Sequence, residues 1–149
     1  MNKIIYFLTA FVLIWGAPYA NAAEEIACEI KHNLHHGNME IRSFYQLIMK
    51  NSSGVMLING EARDDQEDYV ISREIHFAYQ KRSGNNYQFT SNIIHENPID
   101  NMPESLFKAH YPKFFSDKGS TLTFNIKQDN NKNYIVSFVS TPLFYCNKK

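Results

Sequence analysis

The 149-residue chain balances 15 Lys and Arg against 15 Asp and Glu, so its formal net charge at pH 7 is zero. Without a basic excess there is no electrostatic footprint for nucleic acid. The length suits a leader plus one small domain, and no charge block or low-complexity run suggests a disordered tail.

The first residues read as an export signal. Lys3 supplies the positive start, Ile4 to Trp15 is apolar except for Thr9, and Gly16 and Pro18 break the run. Ala20-Asn21-Ala22 then offers the small residues that a signal peptidase reads, which predicts cleavage after Ala22. The rival reading is an uncleaved anchor, but the apolar run falls short of the ~20 residues that span a bilayer. This divides the chain into a signal peptide, 1–22, and a single β-rich periplasmic domain, 23–149. Loss of Lys3 with the leader leaves a net charge of about −1.

Period-two patterning dominates the rest. Ile26, Cys28, Ile30, His32 and Leu34 alternate with polar residues and predict a first strand. Gly37-Asn38 is a turn, and Met39, Ile41, Tyr45, Leu47 and Met49 share the parity of a second strand, imperfect at Ser43-Phe44. Asn51 to Gly54 is the next turn. Val55 to Ala62 is a third strand, with Asn59-Gly60 marking a bulge or bend. Arg63 to Asp68 is a charged, exposed loop.

The clearest strand follows, with Tyr69, Ile71, Arg73, Ile75, Phe77 and Tyr79 on one face. Ser83-Gly84-Asn85 turns it back into Tyr87, Phe89, Ser91 and Ile93. In residues 97–119, Asp100 or Asn101 is placed to cap a short helix that Met102-Pro103 starts, Glu104 favours and Pro112 limits. Leu106, Phe107 and Tyr111 give that helix an apolar side, which either packs on the sheet or plugs a barrel end. Two more strands follow, through Leu122, Phe124 and Ile126 and through Tyr134, Val136 and Phe138 towards Cys146. Pro142 marks an edge or a bulge in the last of them.

Cys28 and Cys146 stand near the two ends of the mature chain. In an oxidising compartment an even pair reads as a disulfide, the alternative being two free thiols. Pairing would bring the first and last strands together and favour a closed sheet. The expected fold is therefore mainly β. It is an antiparallel meander of seven to eight strands forming a small barrel or strongly curved sheet, with one short helix and a disulfide joining the N- and C-terminal strands.

Few residues point to chemistry. His32, His35 and His36 together suggest a metal site, but a strand sends His35 to the face opposite His32 and His36, so the ligands do not converge. The plainer reading is a polar strand end, and a pH-sensing role remains open. Arg73, on the face of Tyr69 and Tyr79, either anchors an acidic or amphipathic ligand or pairs internally with carboxylates or carbonyls. No nucleophile elbow, metalloprotease helix motif, P-loop or dinucleotide fingerprint is present. No catalytic residue and no cofactor are expected.

The strand pattern "ING", the strand "YVISREIHFAY" with its hairpin, "DNMPESLFKAHYPKFF", "STLTFNIK" and the terminal "FYC" resemble the FidL-like proteins, small exported or membrane-anchored proteins of Gram-negative bacteria. The resemblance covers Val55 to Cys146 well and Cys28 to Gly54 loosely. It implies a β-rich periplasmic accessory protein, of the kind that partners the periplasmic domain of a ToxR-type membrane-bound transcription regulator in the manner of ToxS. It carries over no catalytic residue. The leading expectation is thus a non-enzymatic accessory or regulatory binding protein. Two others stand beside it: an inhibitor of a lytic enzyme such as lysozyme, acting through the charged loop Arg63 to Asp68, and a small barrel carrying an amphipathic ligand.

Overall fold

The computed structural model describes residues 25–65, 67–138 and 144–149. The leader with its Ala22 cleavage point, and Pro142, lie outside the described residues. Eight strands run in chain order around a closed antiparallel barrel: β1 (Ile26–His36), β2 (Met39–Lys50), β3 (Ser53–Arg63), β4 (Asp68–Lys81), β5 (Asn86–Glu96), β6 (Thr121–Gln128), β7 (Tyr134–Phe138) and β8 (Phe144–Lys148). Between β5 and β6 lie one helix, α1 (Glu104–His110), and a single 3-10 turn, Lys113–Phe115.

The hairpins explain the order. Gly37 turns β1 into β2 at a φ of 61°, and Asn51 and Ser52 turn β2 into β3 with φ of 52° and 64°. Paired positive φ values in a two-residue loop match the twist of the strands on either side. Gly54 lies inside β3, because a Cβ there would meet the Phe77 ring.

The closing seam is β1 against β8. Cys146 pairs opposite Ile30 and Cys28 opposite Lys148, so the two cysteines sit diagonally across the ladder. Their alpha carbons are 5.3 Å apart and the disulfide is formed. Both side chains point inward and are buried.

Two sequence expectations are corrected. Asn59-Gly60 holds no bulge, since β3 pairs without a shift on both sides. Glycine is needed because the Arg42 carbonyl oxygen occupies the space a Cβ would take. The bulge is on β5 instead. His76 faces Ile93 but Phe77 faces Ser91, leaving Asn92 unopposed. An extra residue inverts the period-two pattern beyond it, so Ile93, expected inside, is 48% exposed and Ile94 turns towards the core.

The helix caps also differ. Pro103 is the N-cap of α1 and no side chain caps it. Asp100 accepts from the backbone N–H of Ser72 (2.9 Å) and of Met102 (3.2 Å), and Asn101 accepts from that of Val70. Both side chains tie the connection to the exposed edge of β4 rather than to the helix. From there α1 covers the barrel end that carries the β1–β2 and β3–β4 turns. Phe107 is wholly buried and Tyr111 nearly so.

Candidate functional site: an apolar cavity at the plugged end

Inside the barrel the aromatic side chains divide into two groups. Phe77 and Phe89 stack with centroids 4.4 Å apart, Phe114 from the 3-10 turn lies 6.0 Å from Phe77, and Phe124 lies 4.8 Å from Phe89. All four are buried; Phe77, Phe89 and Phe114 make this side solid, and Phe124 also borders the cavity on the other side.

The opposite side is hollow. A cavity of about 300 Å³ opens beneath β1, β2, β7 and β8. Ile30, His32 and Leu34 of β1 form one wall, Tyr45 of β2 another, and Val136, Phe138 and Phe144 a third. His110, Tyr111 and Phe115, carried in by α1 and the segment after it, form the floor. Pockets for small molecules are largely apolar clefts with a few polar groups, from about 300 Å³ upward, and this one fits at the small end.

Its polar features are few. The Tyr111 hydroxyl is engaged with the Ser43 hydroxyl at 2.8 Å, which also explains why a serine interrupts the apolar face of β2. Burial raises the pKa of Tyr45 well above the ordinary phenol value and raises that of Tyr111 as well. His32 is different. Its ring meets Phe144 edge-on at 4.8 Å, and its Nδ1 is buried without any hydrogen-bond partner. Burial lowers its pKa below the usual imidazole value, favouring the neutral ring. An unpaired buried polar atom costs about 1–3 kcal/mol.

The histidines of the first strand are therefore separated by role. His32 faces the cavity and His35 faces out, exposed. His36 meets a residue that no local pattern places there: its Nδ1 lies 3.4 Å from that of His110 on α1. Burial first, and then the neighbouring His36, lower the pKa of His110. Among the described residues no group of three or more His, Cys, Asp or Glu is arranged to hold a metal ion.

Arg73, Tyr69 and Tyr79 are not brought together. They share the inward parity of β4, but the ten steps from Tyr69 to Tyr79 span roughly 34 Å of strand at ~3.4 Å per residue. None of the three lines the cavity. Tyr69 stands near the β3–β4 turn, and Tyr79 packs with Phe77, Tyr87 and Phe89. Arg73 has a buried side chain whose Nε lies 3.0 Å from Asp100 and whose Nη1 lies 2.9 Å from Glu104 and 3.2 Å from Glu96. Its guanidinium also sits 3.6 Å above the Phe107 ring. Arg73 thus fastens the helical plug to the barrel wall through carboxylates and a cation–π contact. Its Nη2 is buried and unpartnered.

At the charged connection from β3 to β4, Arg63 and Asp68 pair at 2.5 Å across its base, and Asn38 of the β1–β2 turn bonds to Asp65.

Fold and cavity together define a small, disulfide-closed, up-and-down β-barrel with a plugged end and a partly hollow interior. The sequence profile of one family, described as "FidL-like putative membrane protein", matches residues 60–146, and the chain belongs to that family. The match runs from the end of β3 into β8 and takes in the helical plug, and it leaves out the histidines of β1. No curated protein and no solved structure matches the chain. Among the described residues no helix is long and apolar enough to cross a membrane.

Proposed function

We propose that this chain is a non-enzymatic accessory binding protein of the periplasm, and that its working part is the cavity at the plugged end, which takes a small amphipathic molecule. The observation that carries this reading is a 300 Å³ apolar hollow with an unpartnered buried imidazole nitrogen in its wall. Natural interiors are close-packed, and a void of this size forfeits packing energy unless something fills it. The six aromatic or aliphatic side chains that β1, β2, β7 and β8 contribute to its walls favour an apolar occupant.

The family's link to membranes supports a place of work beside the inner membrane. There the barrel would report occupancy to the periplasmic domain of a membrane-bound regulator. The exposed apolar side chains Ile48 and Ile93 offer contact area for a protein partner.

The test is saturable binding of the neutral fluorescent dye N-phenyl-1-naphthylamine to the oxidised, mature protein. One site per chain is expected, blocked by Leu34→Trp, which places an indole in the cavity. Absence of saturable binding, or equal binding by a Leu34→Trp variant with an unchanged melting curve, would refute the reading.

A further inference from the structure

The cavity also indicates which kind of amphiphile enters it. No lysine or arginine is among its lining residues, and its two imidazoles, His32 and His110, both have pKa values pulled down by burial. The nearest buried cation, Arg73, is already surrounded. Glu96, Asp100 and Glu104 all pair with it. Lys108 bonds to Glu104 and to Asp117. That network holds two cations and four carboxylates, so the charge beside the plug is negative. A carboxylate, sulfate or phosphate brought into the cavity would find no counter-ion and would lose its hydration.

An uncharged headgroup faces no such penalty. His32 Nδ1 is buried and free of any partner, and it can accept from a hydroxyl or, in its other tautomer, donate to a carbonyl. The cavity, about 300 Å³ and open to solvent on one side, lies at the lower end of the range for small-molecule sites.

We infer that the cavity binds a small, neutral, single-headed apolar molecule, such as a medium-chain alcohol, ketone or ester, with its oxygen on His32 and its chain between Phe138, Phe144 and Phe115. This rests on the cavity-binding reading above and names the chemistry of its occupant. It differs from a ligand anchored by Arg73, whose guanidinium is taken up by the plug.

The test is displacement of N-phenyl-1-naphthylamine at pH 7.5 by nonan-1-ol and, separately, by nonanoate, which share one chain length. Nonan-1-ol is expected to compete at least tenfold more strongly. His32→Leu is expected to weaken nonan-1-ol roughly three- to tenfold relative to the dye affinity measured on the same variant, the worth of one hydrogen bond. Equal or stronger competition by nonanoate overturns the inference. So does a His32→Leu variant that binds nonan-1-ol as well as the parent protein. In either case dye binding still upholds the cavity. If the dye does not bind at all, the cavity-binding reading falls, and this inference with it.

Discussion

The two sides of the barrel use the same residue types to different ends. Under β4 and β5, Phe77, Phe89 and Phe114 pack into a solid core, and Phe124 of β6 lies between that core and the hollow. Under β1, β2, β7 and β8, Tyr45, Phe115, Phe138 and Phe144 surround a hollow. Adjacent residues of the 3-10 turn divide between them: Phe114 completes the solid side, and Phe115, at right angles and 5.1 Å away, lines the hollow one. The ladders do not follow that division. β1–β2, β2–β3 and β3–β4 each register eleven residue pairs, whereas β7–β8 and β1–β8 register three each among the described residues. The long β1–β2 ladder and the short ladders of β8 both border the hollow, so side-chain packing rather than ladder length sets where the space lies.

The comparison is broken most directly by truncating one aromatic ring on each side. Phe89 is fully buried in the solid half, and Phe89→Ala should cost about 3–5 kcal/mol, as for other buried phenylalanines. Phe144 is part-exposed and borders existing empty space, so Phe144→Ala should cost only about 1–2 kcal/mol. Urea denaturation of both variants reads the difference. Equal losses would mean that the hollow side is packed as firmly as the other.

The disulfide comes next. It staples the seam where, among the described residues, three residue pairs close β1 on β8, and it joins positions 118 residues apart. Replacing Cys28 and Cys146 together by serine should cost about 2–4 kcal/mol. Dye affinity should fall more than the melting temperature alone explains, because the seam forms the cavity wall. An affinity that survives intact in the folded double variant would place the binding site on the other side of the barrel.

Much of this architecture is legible in the sequence because period two is a local property. The alternation in Tyr69 to Tyr79 gives the inward face of β4 correctly, and the cysteines at either end give closure. Local pattern fails where a neighbour decides. The single unopposed residue Asn92 inverts the end of β5, which no alternation around Ile93 reveals. Asp100 and Asn101 have the right chemistry for helix caps, yet the exposed N–H groups of β4 claim them. Parity alone puts His32 inside with Ile30 and Leu34. That it borders empty space depends on Phe144 and on the plug, more than seventy residues further along the chain. The His36–His110 contact is equally non-local. The cavity is thus invisible to residue patterns, since a hollow is defined by what all the walls together fail to fill.

The smallest expected effect is on stability between pH 7.5 and 5, and it tests whether the hollow side alone responds to protons. Burial lowers the pKa of both His32 and His110 in the folded protein. The unfolded chain, with histidines near 6.5, therefore takes up protons before the folded one does. The stability these two residues contribute is complete above pH 6.5 and is lost as pH falls through their folded values. The carboxylates held low by ion pairs or hydrogen bonds, Asp68, Asp117 and Asp129, lose their contribution only in more acid solution and do not confuse this window. The melting temperature should thus fall from pH 7.5 to pH 5. His32→Leu and His110→Gln should each flatten that fall. His32→Leu should also raise stability slightly at pH 7.5, because it removes a buried nitrogen that has no partner. Identical pH slopes in the parent and both variants would mean that the cavity histidines exchange protons as freely as exposed ones, and the distinction between a dry hollow and an ordinary surface cleft would go with them.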